Sequence, residues 1–323
     1  MYTYYDIIIS ILIIISTYPA VIFLYSIYRR PQSLEAKHKK TFLSISIILL
    51  LATATLVWGS FVEPRILVIN RQEIDLEKIE KPIKIALVAD IHLGPYKKAD
   101  WVEKIIAKIK IEKPDIVFIA GDHIYNSEYK AEEIDYLEPL KNLTKEIPTY
   151  AIQGNHEYGI GDGSSNYKNP IINANWSEEI KTKMESLGVH YMTNELEKLN
   201  INGQEFYLFG GDSILADKLK FDSLTDRDEN LATIAMIHNP IYLFTTDYPR
   251  INLTLSGHTH GGQIRLPIFG PIGRVDSLIP ANFYEGLNQL QNGDKIFVTS
   301  GAGESGPRAR LFNPPEIVIL TIK

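Results

Sequence analysis

Cysteine is absent from all 323 residues. Its absence excludes disulfides, thiolate metal sites and cysteine nucleophiles. It leaves the redox compartment open, because a chain without thiols folds in either. No internal repeat and no low-complexity tract is present, so repeat arrays and disordered tails drop out as explanations. No basic stretch precedes the first hydrophobic run. The chain opens Met-Tyr-Thr-Tyr-Tyr-Asp, which argues against a cleavable signal peptide. Excess positive charge is also missing. The net charge of −6 argues against a general nucleic-acid binder, and no nucleic-acid partner is expected.

Two stretches lack charge altogether. Ile7 to Tyr28 and Thr41 to Val62 are each runs of 22 residues without an ionisable acid or base. As helices each would reach about 33 Å, enough to cross a hydrocarbon layer of about 30 Å. Pro19 is tolerable in a spanning helix whose neighbours satisfy the freed carbonyl. Tyr2, Tyr4 and Tyr5 at one end, and Tyr25 and Tyr28 at the other, suit interfacial belts. Residues 1–62 are therefore expected to form a transmembrane hairpin. The linker carries Arg29, Arg30, Lys37, Lys39 and Lys40 against Glu35, which predicts a cytoplasmic loop. The remainder would then face away from the cytoplasm, integral to the inner membrane through its anchor. Arg65 and Arg71 after the second run weaken that asymmetry. Residues 1–62 carry five basic and two acidic side chains, so the −6 of the whole becomes −9 for residues 63–323. The near-neutral mean hydropathy of −0.06 averages an apolar hairpin with an acidic domain.

Residues 63–323 are long enough to bury a full core as one domain. After a mixed-charge lead-in over 63–81, short buried strands are predicted at Lys84 to Ala89, Asp115 to Ala120 and Thr149 to Ile152. Helices are predicted between them, one capped by Asp100 and one over about 132–145. A polar loop from Gly159 to Pro170 reads as a rim loop. Asn175 and Glu178 then cap a helix with Ile180, Met184 and Leu187 facing inward. Alternating strands and helices predict a parallel sheet. From about 189 onward the pattern is mostly strands, at Gln204 to Phe209, Leu231 to Ile237, Ile251 to Leu255, Lys295 to Ser300 and Glu316 to Ile322. This predicts an α/β fold with two sheets packed face to face.

The polar residues of interest follow these strands. They are Asp90 and His92, Asp122, Asn155 to Glu157, His238, and His258 with His260. In open α/β sheets ligands gather outside the carboxyl ends of strands. Each motif is weak alone. Gly257-His-Thr-His-Gly-Gly262 is more specific, because alternate extended residues point opposite ways and two histidines there can reach two adjacent metals. Nitrogen and oxygen donors without sulfur fit Mn²⁺, Fe or Zn²⁺. Asp90, His92, Asp122, Asn155, His238, His258 and His260 are too many ligands for one ion. Two divalent ions about 3.5–4 Å apart, sharing a carboxylate, are the economical arrangement, and Asp122 is the natural bridge.

The order of these motifs resembles the calcineurin-like metallophosphoesterases, and within them a membrane-linked bacterial YaeI-like branch. The resemblance covers about residues 83–323. It extends through Gly257 to Gln263 with Leu266-Pro267, and through Gly301-Ala-Gly303 to Pro314-Pro315-Glu316. It implies a four-layer α/β/β/α sandwich and a phosphoesterase acting on phosphodiester or phosphomonoester bonds. It also assigns roles. Asp90, His92 and His260 would hold one metal; Asn155, His238 and His258 would hold the other; Asp122 would bridge. His156 would face the phosphate, with Glu157 orienting it. Many members carry a second acid where this chain has Tyr125. His123 reads as a supporting or solvated residue rather than a ligand, and Arg308 and Arg310 as possible phosphate contacts.

The hairpin points to a lipid-linked or envelope phosphate ester. UDP-2,3-diacylglucosamine pyrophosphate hydrolysis is a specific alternative, although its cytoplasmic substrate conflicts with the expected topology. A non-catalytic, metal-stabilised binding scaffold is the alternative of another class. A nuclease would need a basic groove, which an acidic domain does not favour. Oligomeric state is not legible.

Overall fold

The computed structural model describes residues 2–125, 131–161, 174–274 and 276–323. Most of the expected rim loop, and the side chain of Tyr2, lie outside the described residues.

Helix α1 (Tyr2–Arg29) leads through the single turn α2 (Leu34–Lys37) into α3 (Lys39–Val57). Ser33 caps α2, its hydroxyl accepting from the Ala36 N–H at 3.1 Å. Between α1 and α3 the Ser16 and Thr53 hydroxyls meet at 2.8 Å, and Ser46 donates to the Ala20 carbonyl at 3.4 Å. Small side chains let the two backbones approach, and the hydroxyls bond across the seam. The outward isoleucines, among them Ile8, Ile14 and Ile48, stay exposed. Only 17% of the most hydrophobic stretch of either helix is buried, so neither is the core helix of a soluble domain; both are long and apolar enough to cross a membrane. Helical backbone continues beyond α3 as a π turn (Trp58–Val62) and a 3-10 turn (Glu63–Arg65). There the pair docks on the rest of the chain. The buried Glu63 carboxylate accepts from the Trp58 indole at 2.7 Å and the Asn313 N–H at 2.6 Å. The Arg310 N–H donates to the Gly59 carbonyl at 2.8 Å.

The next elements alternate. They are β1 (Val68–Ile74), β2 (Ile83–Val88), α4 (Ala99–Glu112), β3 (Ile116–Ala120), α5 (Lys141–Thr144), β4 (Thr149–Ile152), α6 (Ser177–Ser186) and β5 (His190–Tyr191). Then come β6 (Glu195–Ile201), β7 (Gln204–Gly210), β8 (Thr233–Met236), the turn α7 (Tyr242–Thr245) and β9 (Leu253–Ser256). The chain ends with β10 (Arg265–Leu266), β11 (Gly270–Pro271), β12 (Gly286–Gln289), β13 (Lys295–Val298) and β14 (Glu316–Ile322).

One sheet has the order β1-β14-β2-β3-β4-β5 and the other β12-β13-β9-β8-β7-β6, with β10 and β11 forming a separate hairpin. β2, β3, β4 and β5 run parallel as expected. The first sheet is nonetheless mixed, because β14 inserts antiparallel to β2. Phe118, Leu87 and Val318 from the first sheet meet Phe206, Ile234, Leu255 and Phe297 from the second in one apolar layer. The opposite face of the first sheet packs Val88, Val117 and Ile119 against Trp101, Val102, Ile105 and Ile109 of α4 and Ile180 and Met184 of α6. The outer face of the second sheet is covered by a thinner layer around Leu224, Tyr242 and Ile251. The result is a layered α/β/β/α sandwich.

Four local expectations shift. Residues 68–74 form β1, because Val68 to Ile74 pair in register with Glu316 to Ile322 at the far end of the chain. The N-cap of α4 is Lys98, and Asp100 sits in the first turn, where its charge suits the helix dipole. The segment expected as a helix over about 132–145 is a 3-10 run (Ala131–Leu140) followed by α5. Pro139 inside it cannot donate an α-helical hydrogen bond. The helix after Asn175 is present as α6, but its N-cap is Trp176, with Glu178 in the first turn; Asn175 sits one residue earlier, its Oδ1 accepting from the Ser177 N–H at 3.0 Å.

Candidate metal centre

β2, β3 and β4 are neighbours in one sheet and β8 and β9 in the other, so their carboxyl ends share one edge of the sandwich. Asp90 and His92 follow β2, Asp122 follows β3, Asn155 to Glu157 follow β4, His238 follows β8, and His258 and His260 follow β9. Five of these residues have left-handed backbone: Asp90 (φ 53°), His92 (48°), Asp122 (53°), His258 (70°) and His260 (51°). Such strain in residues with a Cβ persists only where surrounding structure enforces it, and it concentrates at functional sites. Two glycines make the crowding possible. A Cβ on Gly154 would lie 2.1 Å from Asp122 Oδ1, and one on Gly257 would lie 2.5 Å from Asp90 Oδ2.

Backbone donors orient the carboxylates. The His258 N–H reaches Asp90 Oδ1 and Oδ2 at 2.9 and 3.1 Å. The His156 N–H reaches Asp122 Oδ1 at 2.9 Å, which leaves Oδ2 3.0 Å from His238 Nε2 and 3.7 Å from His92 Nε2. His260 Nε2 lies 3.7 Å from Asp90 Oδ1. Asn155 donates its amide to the Ile160 carbonyl at 2.6 Å, turning Oδ1 to 3.0 Å from His258 Nδ1.

This donor set fits cations. His238 Nδ1 donates to the Ala120 carbonyl at 2.7 Å. In the neutral ring that leaves the lone pair on Nε2, which is buried 3.0 Å from Asp122 Oδ2. His92 and His260 bring their Nε2 atoms within 3.0 Å of each other, rings stacked. Asp90, His92 and His260 form one compact triad of ligand atoms, and Asp122, His238 and His258 another; Asp122 also groups with His92 and His156. All these side chains are buried. Lone pairs that converge in a dry site repel unless positive charge lies between them.

The ionisation of the cluster reflects the same crowding. Burial raises Asp90 to about 7, with the Asp122 charge adding to it and His238 opposing. Burial would lift Asp122 too, but His238, His156 and His92 together hold it well below the usual carboxylate range. Burial depresses His238, yet Asp122 and Asp90 outweigh it and raise the imidazole to about 9. His92 is driven well down, by burial first and by His156 next.

The supporting residues fall as follows. His156 stands 4.5 Å from His92, ring edge to face, and its Nδ1 donates to the main-chain carbonyl of Tyr125 at 2.6 Å. The grip on His156 expected from Glu157 is thus supplied at Nδ1 by Tyr125. The Glu157 carboxylate instead accepts from the N–H groups of Gly154 (2.7 Å), His123 (2.7 Å) and Asp122 (3.2 Å), tying the β3 loop to the β4 loop. Tyr125 itself is buried against His92 at 5.8 Å, and its hydroxyl donates to the Gly306 carbonyl at 3.3 Å. His123 is buried behind the cluster, on the Ile152 carbonyl and the Tyr191 hydroxyl. His190 lies in β5 beside Glu197, and His38 sits in the linker before α3.

The two arginines have separate fates. Arg310 is fully buried and bonds main-chain carbonyls of Ser300 (2.8 Å), Asn313 (3.2 Å) and His260 (3.4 Å). It braces the loop of His260, and the phosphate contact considered for it is sterically closed. Arg308 lines a narrow cleft with His92, Tyr96, Lys97 and Tyr125. The grip of Tyr125 and the bracing by Arg310 and Asn313 act through main-chain atoms, which no motif spells out.

Residues 83–262, more than half of the chain, match the calcineurin-like phosphoesterase family. The chain belongs to that family. It is a metal-dependent phosphoester hydrolase, and the family uses a dinuclear divalent metal centre. Among its relatives, metallophosphoesterase Cj0846 of Campylobacter jejuni is 31% identical over 257 residues, covering 78% of this chain and 62% of that protein. Phosphodiesterase YaeI of Escherichia coli is 28% identical, covering 75% of this chain and 82% of its own. A bovine transmembrane protein with a metallophosphoesterase domain is 29% identical, covering 75% of this chain and 53% of its own.

Proposed function

We propose that the chain is a membrane-anchored, dinuclear metal-dependent phosphoesterase acting on a lipid-linked or envelope phosphodiester or phosphomonoester. The observation that carries this reading is the buried convergence of Asp90, His92, Asp122, Asn155, His238, His258 and His260 on one sheet edge, with His156 beside it. Asp90, His92 and His260 would hold one divalent ion, Mn, Fe or Zn, and Asn155, His238 and His258 the second, with Asp122 common to both. Such a pair supplies Lewis acidity and a strong oxygen nucleophile near neutral pH.

The chain's own groups do the rest. The N–H groups of His258 and His156 hold the two aspartates in fixed orientations, so little reorganisation is needed as charge builds on the phosphoryl oxygens. His156 keeps a proton on Nδ1 through the Tyr125 carbonyl. Nε2 is the other ring atom, and in the imidazolium form it would donate to the phosphoryl or leaving oxygen, a role worth about 10²–10⁴-fold. Glu157 positions two of the ligand loops.

Residues 1–62 would anchor the enzyme in the inner membrane, and the basic linker would keep residues 63–323 outside the cytoplasm. The name of the bovine relative supports a membrane setting. A reporter fused after Lys323 tests the orientation; a cytoplasmic signal overturns it and favours a cytoplasmic sugar-nucleotide lipid instead. Activity is tested with full-length protein in detergent, Mn²⁺ and bis(p-nitrophenyl) phosphate. Hydrolysis that a chelator abolishes and that His156→Ala lowers at least a hundredfold, with metal content retained, is expected. Full metal content without turnover on any ester would instead describe a binding scaffold.

A further inference from the structure

The metal cluster and the first apolar helix share a wall. The narrow cleft above His92 is lined by Pro95, Tyr96 and Arg308. Pro95 and Tyr96 also line a second, open groove of about 420 Å³, whose opposite side is Asp6, Ile7, Ser10, Ile11 and Ile14 of α1. Tyr96 therefore stands between the two spaces. Its hydroxyl donates to Asp6 at 2.9 Å, and the Arg308 guanidinium lies over its ring at 4.2 Å. Asp6 and Ile14 are eight positions apart, about 12 Å along the helix. If α1 crosses a bilayer, the groove runs from the interface into the acyl region.

A second apolar surface is exposed on the hairpin β10–β11. The hairpin β10–β11, which begins five residues after His260, carries Ile268 and Phe269 at its tip, and both are exposed; Ile272, just after β11, and Phe312 are exposed too. This hairpin is continuous with the helix pair: Arg265 N–H donates to the Leu311 carbonyl, and the adjacent Arg310 N–H donates to Gly59. Exposed apolar side chains of this kind mark an interaction surface, and the hydrogen-bonded link to Gly59, in the turn that continues α3, points to the bilayer as its partner. Arg308 adds a cation at the junction; one amino group is paired with Asp6 at 2.9 Å, and its buried Nε has no hydrogen-bond partner among the described residues.

We infer that the catalytic cleft opens sideways into the bilayer, and that the groove between α1 and Tyr96 receives an acyl chain of a phosphate-ester lipid whose phosphate passes Arg308 to reach the metal cluster. This inference rests on the phosphoesterase reading above and names its substrate class. Water would attack phosphorus, the P–O bond to the leaving alcohol would break, and the alcohol oxygen would leave with a proton. One chain-bearing product stays in the membrane.

The test uses full-length protein in lipid nanodiscs with Mn²⁺ and two chromogenic diesters, ethyl p-nitrophenyl phosphate and hexadecyl p-nitrophenyl phosphate. The readout is the ratio of kcat/KM for the long ester over the short one, in the native chain and in Ile11→Trp/Ile14→Trp, which fills the groove. Partitioning into the disc is the same for both proteins, and turnover of the ethyl ester reports that the variant is folded. The ratio is expected to fall about tenfold or more in the variant, since each buried methylene contributes about fourfold. An unchanged ratio overturns the groove alone. A native chain that turns over neither ester overturns the phosphoesterase reading, and the inference falls with it.

Discussion

Asp6 in the first helix and Arg308 near the C-terminus meet at 2.9 Å. Arg308 is also placed over the rings of Tyr96 and Phe61, at 4.2 and 4.9 Å. The contact clamps α1 against the loop that rims the metal cluster. A half-buried, geometrically good pair differs from the exposed pairs that contribute little. The coupling energy of Asp6→Asn and Arg308→Gln, taken from a double-mutant cycle of thermal stability in detergent, is expected to be about 1 kcal/mol. Additivity within about 0.3 kcal/mol would show that the two side chains are merely adjacent.

Gly154 is the tightest point of the centre. A Cβ there would lie 2.1 Å from Asp122 Oδ1 and 2.5 Å from the Asp122 N–H nitrogen, so the carboxylate expected to serve both ions must move. Gly154→Ala is expected to lower metal content below one ion per chain and to lower kcat/KM on a diester by about a hundredfold or more. Gly273→Ala is the matched control, because nothing lies within 4 Å of its added Cβ. Metal analysis of both proteins decides the matter; equal metal content in the two would remove Gly154 from the site.

The centre was largely legible in the sequence because its donors follow strand ends directly. A buried strand fixes where the chain exits, and a glycine beside a polar residue marks a sharp turn at that exit. The fold was legible for a similar reason, since β2, β3 and β4 are short apolar runs separated by helices. What escaped depends on partners far away in the chain. Val68 to Ile74 mixes polar and apolar residues and becomes β1 only by pairing with Glu316 to Ile322. The grip on His156 comes from a carbonyl, which the identity of Tyr125 does not announce. Asp6 stands in no motif, and its partners lie 90 and 302 residues away.

Glu157 carries more structure than its motif suggested. Its carboxylate gathers the N–H groups of Asp122, His123 and Gly154. Glutamine keeps the size but turns an amide donor toward some of those donors, leaving buried N–H groups unpaired at about 1–3 kcal/mol each. Glu157→Gln is therefore expected to lower the thermal midpoint of the metal-free protein by several degrees and to weaken Mn²⁺ binding at least tenfold. If Glu157 acted only on His156, kcat would fall while the midpoint and the Mn²⁺ affinity held. Calorimetric titration beside a melting curve separates the two.

Lys97 gives the stability a readable pH dependence. Its ammonium is buried 3.2 Å from Glu304 and 3.4 Å from the centre of the Trp101 ring. Burial lowers it to about 8, against the opposing pull of Glu304. The folded value thus lies below the unfolded value of 10.5. Between the two the unfolded chain binds more protons, so stability rises with pH across that window. Below about 8 the charging penalty is fully present; above about 10.5 it is gone. The span corresponds to about 3 kcal/mol. Melting curves in detergent from pH 7.5 to 10.5 are expected to show the native chain gaining on Lys97→Met/Glu304→Gln, which removes both charges and keeps the apolar stem over Trp101. Parallel curves for the two proteins would mean that Lys97 reaches water when charged, and that the wall between the cleft and α4 is looser than its contacts with Pro64 and Trp101 require.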